Sequence, residues 1–460
     1  TNDMGEYVML RPPEFKDFLK GKVKESSPLY PYLQEQGLIR DKMDFPALIT
    51  EYQQKNLFLW QGPSLHIIVV TLRCDHKCVY CQASSRNQNE KGFDLDMGSA
   101  KKIVDMIFKS PSPSVAIEFQ GGEPLLNWPV IKFIIEYSRE KNKTEKKDLE
   151  LRLVSNFSLM DETKLGFLVK NCVTLCTSLD GPEKLHNKNR IWSGGSSYRQ
   201  TVHWLKKAQK VYKSKLENKY RPGAVVTVSR LSLKYPEEIV KEYIGQGIEA
   251  LFVRPMTPLG VAREQWARIG YSADEYLKFY KRVLDSIISY NLKNPKTRFH
   301  EYYAKIMLAK IMTEYDPNYL ELRSPCGAGI GQILYNYDGK IYSCDEGRMV
   351  GEDTFCLGHI NKASYKSIIS HPTVKSLCLA SCLDGLPCDS CVYKPYCGVC
   401  PIYNYASSGS IFSQMPSNER CRINMGIFDY LFGKIQNKKI KAVFLKWANF
   451  TLPSPKKTNG

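Results

Sequence analysis

Residues 66–81 read His-Ile-Ile-Val-Val-Thr-Leu-Arg-Cys-Asp-His-Lys-Cys-Val-Tyr-Cys, an apolar run followed at once by three closely spaced cysteines. The apolar run has the length and β-branched content of a buried strand. Cys74, Cys78 and Cys81 lie on the loop that follows it. Three thiolates a few residues apart can hold three irons of one cubane and leave the fourth iron open. Zinc is the alternative, but zinc prefers paired Cys-x-x-Cys knuckles and four ligands.

Strand-like and helix-like segments alternate along the chain after this run. The predicted strands are His66–Leu72, Val115–Phe119, Leu149–Ser155, Thr174–Leu179, Ala224–Val228 and Leu251–Arg254. The predicted helices between them are Met97–Ser110, Val130–Lys141, Asp161–Lys170, Tyr198–Val211 and Pro236–Gln246. Repeated βα units imply a parallel sheet with helices packed outside it. Six units are too few for a closed eight-stranded barrel, so we expect an α/β fold with a partial, open (β/α)6 barrel and its ligands at the carboxyl ends of the strands.

The segments before and after the barrel differ from it in pattern. We expect a small α+β unit at residues 1–62, with a strand at Tyr7–Leu10 and helices at Pro12–Leu19 and Tyr30–Gln36. The further predicted units are the barrel at 63–270, a helical bridge at 271–325, a cysteine-rich domain at 326–425, and a helix with a frayed tail at 426–460. Ser272 is a good N-cap for the first bridge helix, which should reach about Tyr290.

The cysteine-rich domain should begin with a β-hairpin. Gln332–Tyr337 and Lys340–Ser343 alternate in polarity around Asp338-Gly339, which is a strong two-residue turn signal. A second helix of the bridge is expected just before this domain, near Glu301–Glu314. After the hairpin the sequence is rich in loop residues and cysteine, which predicts a fold held together by metal.

The composition limits the compartment and the partners. The 15 cysteines are odd in number and no signal peptide precedes them, so a secreted disulfide framework is unexpected. Cys172, Cys176, Cys356 and Cys378 are expected to be ordinary thiols, and the others cluster. The net charge of +18 is typical of proteins with acidic partners, but Lys and Arg are spread throughout the chain, which favours a solvated basic surface over a nucleic-acid partner. No apolar run is long enough for a bilayer, so we expect a cytoplasmic protein without a membrane partner.

The Cys-x-x-x-Cys-x-x-Cys spacing, with Tyr80 before the last cysteine, resembles the signature of the radical S-adenosylmethionine (SAM) superfamily. Further matches to the family's motifs stand at the ends of successive predicted strands. They are Gly121-Gly122-Glu123-Pro124, Ser155-Asn156, Ser178-Leu-Asp180-Gly-Pro with His186 and Arg190 behind it, and Arg254-Pro255. One departure is Asn187, where many relatives carry Asp.

The resemblance implies a role for each of these positions. The Gly-Gly-Glu turn would hold the methionine amino group, and the segment from Ser178 to Arg190 would contact the ribose and the methionine carboxylate. Arg254 would lie beside the adenine. One electron from the reduced [4Fe-4S] cluster would cleave adenosylmethionine to a 5′-deoxyadenosyl radical, and a flavodoxin or ferredoxin would supply that electron.

The cysteines near the other end resemble the auxiliary-cluster domain called SPASM, which implies two further [4Fe-4S] clusters. By this resemblance the outer cluster would be held by Cys388, Cys391, Cys397 and Cys421, and the inner cluster by Cys326, Cys344 and Cys400. The family has one more cysteine about six residues before Cys326, where this chain has Leu320. The last knuckle is also one residue shorter than usual. The inner cluster would therefore have an open iron, or would recruit Cys382 or Cys378.

Asp345 directly follows Cys344, at the position of the general base in anaerobic sulfatase-maturating enzymes, and Glu346 is its neighbouring alternative. A hairpin-end Asp that only binds local backbone amides is the competing interpretation.

Three segments resemble the maturases of the His-Xaa-Ser peptide system. They are Ile117–Asn127, Thr177–Arg190, and Tyr335–Gly339 with Asp345–Met349. The resemblance implies oxidative modification, including crosslinking, of a ribosomally made precursor peptide. Residues 1–62 would then bind its leader, as the winged-helix-like modules of such systems do, or would only cap an edge of the barrel. The rivals are a sulfatase-maturating enzyme and a non-enzymatic, metal-stapled nucleic-acid-binding protein.

Overall fold

A computed structural model describes residues 1–216, 220–416 and 418–449, and its largest element is a mixed sheet of ten strands. The predicted tail after Phe450 lies outside the described residues. In chain order the strands are β1 Leu65–Thr71, β2 Ser114–Gly121, β3 Asp148–Val154, β4 Val173–Ser178, β5 Gly223–Val228, β6 Ala250–Pro255, β7 His300–Glu301, β8 Gln332–Tyr335, β9 Lys340–Tyr342 and β10 Cys356–His359. In the sheet they lie in the order β7-β6-β5-β4-β3-β2-β1-β8-β9-β10.

Strands β1 to β6 are the six predicted strands, each within two residues of its expected ends. They pair in parallel with their sequence neighbours. β4 and β5 each alternate between fully and partly buried residues, because one face meets the outer helices and the other lines the interior. The sheet does not close within the described residues, since β7 and β10 are its two edges. The expected open α/β architecture therefore agrees with the observed sheet.

Helices cover the outer face of this sheet and fill the regions on either side of it. Those between the barrel strands are Met97–Ile107, Trp128–Glu145, Glu162–Lys170, Glu183–Asn189, Ser197–Lys215 and Pro236–Gly245. Those after β6 are Val261–Glu264, Trp266–Ile269, Ala273–Lys293 and Tyr302–Met312. Those of the cysteine-rich region and beyond are Asp345–Met349, Tyr365–Ile369, Pro372–Leu379, Pro401–Ser408, Glu419–Ile435 and Lys438–Ala448.

The amino-terminal unit is helical, so the expected α+β unit is wrong in one respect. Its helices are Pro12–Leu19, Leu29–Glu35 and Phe45–Lys55, and the third was not predicted although Asp44 caps it. Tyr7–Leu10 forms no strand, because no neighbouring strand among the described residues offers it a ladder. Instead Tyr7 packs edge-on against Phe432, with the ring centroids 5.0 Å apart.

The predicted hairpin is present, and it joins the barrel sheet. β8 and β9 pair antiparallel, and Gly339 in the turn has a φ of 82°, which glycine adopts without a steric penalty. β8 also pairs in parallel with β1, with Leu65 opposite Gln332. The cysteine-rich region and the barrel therefore share one hydrogen-bonded sheet.

The carboxy-terminal helices pack on the bridge, which corrects the expected boundary at residue 426. That boundary falls inside Glu419–Ile435, whose buried side includes Phe428 and Leu431. This helix and Lys438–Ala448 pack against Ala273–Lys293 and Tyr302–Met312. Within the described ranges, none of the helices combines the length and the apolar character of a membrane span.

Candidate active site

The cluster loop, residues 74–81, follows β1 and contains a short strand. His76–Cys78 pairs antiparallel with Arg190–Trp192, and Cys78 lies opposite Arg190. The Val79 amide donates to the Asn189 carbonyl at 2.9 Å. The three thiols are free, and burial raises the pKa of Cys78 to about 12. The nearby Arg190 guanidinium, with Nη1 at 3.8 Å from Cys78 Sγ, opposes this effect.

The Gly-Gly-Glu turn at the end of β2 lies against the backbone that leads into this loop. The Gly122 amide donates to the Thr71 carbonyl and the Glu123 amide to the Arg73 carbonyl, both at 2.8 Å. A Cβ atom on Gly121 would lie 2.1 Å from the Thr71 oxygen, and one on Gly122 would lie 2.3 Å from the Arg73 oxygen. Only glycine allows this approach.

Glu123, Ser155 and Asn156 are brought together at the ends of β2 and β3. The buried Glu123 carboxylate accepts hydrogen bonds from Ser155 Oγ at 2.7 Å, from the Asn156 amide at 2.8 Å and from the Leu125 amide at 3.0 Å. Burial raises the pKa of Glu123 to about 7, although these donors oppose the shift. The carboxylate thus ties the turn to β3.

Asp180 and Arg190 form a buried pair beneath the cluster loop. Tyr80 Oη donates to Asp180 Oδ2, and Arg190 Nε lies 3.4 Å from the same oxygen. The Arg190 guanidinium also stacks over the Tyr80 ring, 5.4 Å from its centroid. Asp180 Oδ1 and Arg190 Nε find no hydrogen-bond partner among the described residues. Ser178, the last residue of β4, is half-buried nearby. The expected site residues at the ends of β2, β3 and β4 therefore meet around the three thiols.

A chain of buried side chains supports the cluster loop, and the sequence did not single out its central member, Ser197. Ser197 Oγ lies 2.8 Å from His76 Nε2 and 3.0 Å from His186 Nε2. At one end of this chain of side chains, His76 Nδ1 is 2.8 Å from Asp75 Oδ1. At the other end, the Asp180 amide donates to His186 Nδ1. His76 also stacks on Trp192 at 5.6 Å. In sequence, Ser197 is one more serine at a helix start, so no local signal marks it.

The interior face of the sheet carries charged and polar side chains. Glu118 on β2 lies beside Arg152 on β3, and both are partly buried. Cys176 on β4 faces the same space, because Glu118 and Arg152 both act on the pKa of its thiol. Asp345 in turn raises the pKa of Glu118. The interior is therefore polar and extends from the barrel strands to the cysteine-rich region.

Arg254 reaches the cysteine-rich region from the end of β6. Its Nη2 lies 2.9 Å from Glu346 Oε1 and 3.6 Å from Glu321 Oε1. Glu321 is held on its other oxygen by Arg420 at 2.6 Å. The charge of Arg254 is thus already paired with two carboxylates.

Cys326, Cys344 and Cys400, here called the inner thiols, share one small core with Phe355, Leu377 and Ile402. Cys344 and Cys400 are each the N-cap of a short helix, and their Sγ atoms accept the Gly347 and Tyr403 amides at 3.3 Å. Burial raises the pKa of both thiols well above the usual value, so the amide donors by themselves do not make these thiols acidic.

The outer thiols surround a cavity. Its lining contains all four predicted residues of this set, Cys388, Cys391, Cys397 and Cys421. The thiols act on one another electrostatically, and burial raises the pKa of Cys388 to about 11 and of Cys421 to about 12. Asn424 donates to Cys397 Sγ at 3.6 Å. Four convergent thiols around one cavity are a typical cluster or zinc site.

The backbone around Cys382 lies next to the backbone around the inner thiol Cys326. The Cys326 amide donates to Ser381 Oγ at 3.0 Å, and the Leu383 amide donates to Ser324 Oγ at 2.9 Å. The Cys382 thiol, however, acts on the pKa of Cys378 and of Tyr52.

Asp345 and Glu346 form a coupled acidic pair next to Cys344. One ligand atom of each of these three residues lies within 4.8 Å of the other two. Burial and the Asp345 charge raise the pKa of Glu346 well above its usual value. Burial alone would raise the pKa of Asp345 too, but its hydrogen bond with Glu346 and the Arg254 charge outweigh it, and that pKa is lowered.

Two arginines make contacts between distant parts of the chain, and the sequence did not indicate these contacts. Arg348 Nη1 donates to the Ala83 carbonyl, just after the cluster loop, at 3.2 Å. Arg323 stacks over Phe58 at 4.3 Å, and burial lowers its pKa to about 10. Arg348 lies in the segment Asp345–Met349 that resembles the peptide maturases, but the sequence around neither arginine indicates these contacts, because each acts through the tertiary structure.

Comparison with known proteins agrees with this arrangement. Residues 68–221 match the model of the Radical SAM superfamily. A cysteine-type anaerobic sulfatase-maturating enzyme of Clostridium perfringens is 25% identical over 390 residues, which cover 81% of this chain and 97% of that protein. The structure of native anSMEcpe with bound AdoMet superposes with a TM-score of 0.67 at 19% identity, over 82% of this chain and 99% of that chain.

Another similar structure is that of Streptococcus suis SuiB bound to precursor peptide SuiA, with a TM-score of 0.56 at 15% identity over 87% of both chains. The likeness to these structures shows the shared fold. The superfamily match over 68–221, which includes the thiol loop at the carboxyl end of β1, identifies a radical SAM domain in this chain.

Proposed function

We propose that the chain is a radical SAM enzyme that oxidatively modifies side chains of a ribosomally synthesised precursor peptide. The observation that carries this proposal is the cluster loop, whose three free thiols are docked between the Gly-Gly-Glu turn and the Asp180–Arg190 pair. These parts meet at the carboxyl ends of parallel strands, where ligands of α/β folds bind.

The residues around the cluster loop fit a [4Fe-4S] cluster and adenosylmethionine. Cys74, Cys78 and Cys81 would hold the cluster. The buried Asp180 Oδ1 has no hydrogen-bond partner among the described residues, and together with the Arg190 guanidinium, which is ion-paired with Asp180 Oδ2, it is suited to a zwitterionic ligand with hydroxyl groups. The chemistry that these groups supply when bound is reductive cleavage of the sulfonium to a 5′-deoxyadenosyl radical. The chain's own part is to orient the ligand and to exclude water.

The outer and inner thiols fit two auxiliary [4Fe-4S] clusters. The four outer thiols line one cavity together with the inner thiol Cys400, and two of the three inner thiols accept a backbone amide at the start of a helix. Thiolates in a reducing compartment bind iron–sulfur clusters or zinc, and the three-thiol inner set fits a cluster better than it fits a closed zinc site. An acidic flavodoxin or ferredoxin would be attracted by the net charge of +18.

Asp345 would act as the general base. It borders the polar interior, and its lowered pKa keeps the carboxylate ionised and ready to accept a proton. A substrate side chain in the interior would thus lie between the radical SAM site and Asp345.

A peptide substrate is supported by the fold shared with SuiB and by the surface of the amino-terminal unit. A groove on that unit is lined by Phe45, Leu48, Ile49 and Tyr52, and it continues onto Val392 of the cysteine-rich region. Phe45 and Ile49 are exposed. Exposed apolar grooves of this kind bind peptides. We infer that the groove binds the leader and that the modified region carries His-Xaa-Ser repeats.

A second candidate is a sulfatase-maturating enzyme, which would oxidise Cys or Ser to formylglycine. It is supported by the 25% identity with the Clostridium perfringens enzyme over nearly its whole length and by Asp345 after Cys344. The substrate would again be a peptide segment, so both candidates use the same interior.

The test is anaerobic reconstitution with adenosylmethionine, dithionite and the peptide encoded beside this chain. We expect 5′-deoxyadenosine, and a peptide product that has lost two hydrogens per modification. A hydrazine-reactive aldehyde on a sulfatase peptide would instead favour the second candidate. A chain that carries its full load of iron and forms no 5′-deoxyadenosine with either peptide would contradict the proposal, and Cys78→Ala is the inactive control.

The leader groove is tested separately with Ile49→Glu, which places a charge in the groove. We expect precursor binding to weaken at least tenfold, since a buried apolar contact becomes a desolvated charge. Leu292→Glu is the matched control, because Leu292 is an exposed leucine on the bridge. Equal binding by both variants would mean that residues 1–62 only cap the fold.

A further inference from the structure

The strand in the cluster loop, His76–Cys78, and its partner Arg190–Trp192 form a two-stranded ribbon that has two unlike faces. In an antiparallel pair, residues opposite each other point to the same side, and successive residues alternate between the two sides. Cys78 and Arg190 are opposite each other, and Arg190 Nη1 lies 3.8 Å from the Cys78 sulfur. This inner face therefore belongs to the radical SAM site described above.

The outer face of the ribbon is open to solvent. Lys77 lies opposite Ile191, and both side chains are exposed. Ile191 is 52% exposed, although isoleucine is among the residues most often buried in folded proteins. No hydrogen bond or ion pair of the Lys77 ammonium group is found among the described residues. One peptide bond joins Lys77 to the cluster ligand Cys78, so this face lies directly behind the ligand.

The helix before the ribbon adds positive charge beside this outer face. Glu183–Asn189 ends where the ribbon begins, and its last carbonyl accepts the Val79 amide of the cluster loop at 2.9 Å. Lys184 and Lys188 are exposed and stand four residues apart, so they share one side of the helix. Within the described ranges, neither lysine has an ion pair. Both charges are therefore available to a partner.

The acidic residues near the ribbon in sequence do not cancel this charge. Glu183 Oε1 lies 2.8 Å from Arg199 Nε, so that pair is neutral. Asp75 is buried, with its Oδ1 atom 2.8 Å from His76 Nδ1, and Asp180 is fully buried. The charge that reaches solvent beside the ribbon is therefore positive.

We propose that Lys77, Ile191, Lys184 and Lys188, here called the ribbon surface, bind the small acidic electron-transfer protein that reduces the radical SAM cluster. The inference rests on the proposed function, because it requires a cluster held by the cluster loop. An apolar centre with a charged rim is the usual anatomy of a protein interface, and charges of opposite sign speed the encounter of two proteins. One electron leaves the reduced donor and enters the cluster, and no atom is transferred.

The position of the ribbon surface suits electron transfer better than that of a second group of exposed lysines. Lys438, Lys439 and Lys441 lie on the helix Lys438–Ala448, which packs against the two bridge helices. A donor bound there would contact the bridge. A donor bound to the ribbon surface would contact the strand that contains Cys78 itself. The second group therefore serves as the control for charge alone.

Crosslinking locates the docking site directly. The full reconstituted chain is mixed anaerobically with a purified bacterial flavodoxin, and a carbodiimide joins lysine amines to the carboxyl groups that they contact. Mass spectrometry should find crosslinks to the lysines of the ribbon surface. These crosslinks should disappear at about 1 M salt, because the Debye length falls to roughly 3 Å. The lysines of the Lys438–Ala448 helix are the internal control and should stay free of crosslinks to flavodoxin.

The second measurement is the rate of cluster reduction at varied concentrations of reduced flavodoxin, followed by absorbance. Lys77→Glu combined with Lys188→Glu reverses two charges, and we expect the apparent KM for flavodoxin to rise roughly tenfold. Lys439→Glu combined with Lys441→Glu is the matched control and should leave this KM unchanged. Iron content and the extent of reduction by excess dithionite report whether the radical SAM site is intact. If the first double variant loses iron, Ile191→Glu takes its place.

Two results would overturn the inference. They are an absence of crosslinks at the ribbon surface, and an unchanged KM for flavodoxin in a ribbon-surface variant that has its full iron content. Failure of the proposed function is seen separately, in a chain that carries its iron but forms no 5′-deoxyadenosine with adenosylmethionine and excess dithionite. That result does not depend on the protein donor, so the two failures are distinguishable.

Discussion

At Ser197 one hydroxyl contacts two buried imidazoles, and the donors around His186 determine the protonation of that ring. The Asp180 amide donates to His186 Nδ1, and burial holds the pKa of His186 well below its usual value. His186 is therefore neutral, and its Nε2–H donates to Ser197 Oγ. The Ser197 hydroxyl is then free to donate to His76 Nε2, and His76 Nδ1 lies 2.8 Å from Asp75 Oδ1 and 2.9 Å from Asn156 Nδ2. This chain of contacts connects the end of β4 to the cluster loop.

Removing that hydroxyl should weaken the cluster loop. Ser197→Ala leaves His186 Nε2 and His76 Nε2 unpaired in a buried place, at a cost of about 1–3 kcal/mol for each group. We expect a lower free energy of unfolding and faster loss of iron from the radical SAM cluster on exposure to a chelator. Ser197→Thr keeps the hydroxyl and should restore both quantities. Equal chelation rates for the Ala variant and the unchanged chain would show that the network does not position the loop.

At the scale of elements, Glu301 joins three of them through one carboxylate. It is the N-cap of Tyr302–Met312 and accepts the Ala304 amide at 2.6 Å, the Val253 amide of β6 at 3.1 Å, and Tyr280 Oη from the first bridge helix. Burial raises its pKa from 4.5 to about 7. The Glu301 carboxyl group thus binds its proton more tightly in the folded chain than in the unfolded chain.

The sign of the resulting pH dependence follows from this shift. The contribution of Glu301 to the free energy of unfolding is complete below pH 4.5. It is lost as the pH rises through 7, because ionising the buried carboxyl group is costly. Between roughly pH 5 and pH 8 the unchanged chain should lose about 2–3 kcal/mol of stability relative to Glu301→Gln. Urea unfolding at both pH values measures the difference. A pH-independent difference between the two proteins would contradict the assignment.

The elements also show where sequence is informative and where it is not. β1 to β6 were predicted within two residues, because β-branched runs with alternating burial are a local property. Tyr7–Leu10 has a comparable local pattern but no partner strand, so it stays irregular. The three thiols of the cluster loop were predicted from their spacing, and the strand-end motifs and the other two thiol sets from the family resemblance. Ser197, Arg323 and Arg348 were not, since their roles depend on residues far away in the chain.

At the scale of the whole molecule, the cysteine-rich region continues the large sheet of the preceding region instead of forming a sheet of its own. β8 covers the edge of β1, and Ile67 and Val69 pack in one apolar cluster with Leu334 and Tyr342. Arg254 and Arg348 add polar connections between the two regions. The edge of β1 is therefore covered by residues more than 260 positions away in the sequence.

A chain that ends at residue 325 should consequently fail to remain monodisperse. It exposes the unpaired edge of β1 together with Ile67 and Val69, which are features that promote strand-to-strand aggregation. Size-exclusion chromatography measures the outcome. A chain that lacks residues 1–62 is the control, because all ten strands keep their partners, and it should elute as one species. A monodisperse truncated barrel would show that β8 is dispensable.

The pairing of β8 with β1 also has a consequence for building chimeras from related enzymes. A crossover at residue 325 or 326 would look natural in an alignment, but it would divide a β-ladder between two parents. The hydrogen-bond register from Leu65 opposite Gln332 to Ile68 opposite Tyr335 would then have to match by chance. A recombination scheme that inherits 65–71 and 332–359 as one block would preserve the ladder, and it would allow the outer thiols to be exchanged independently.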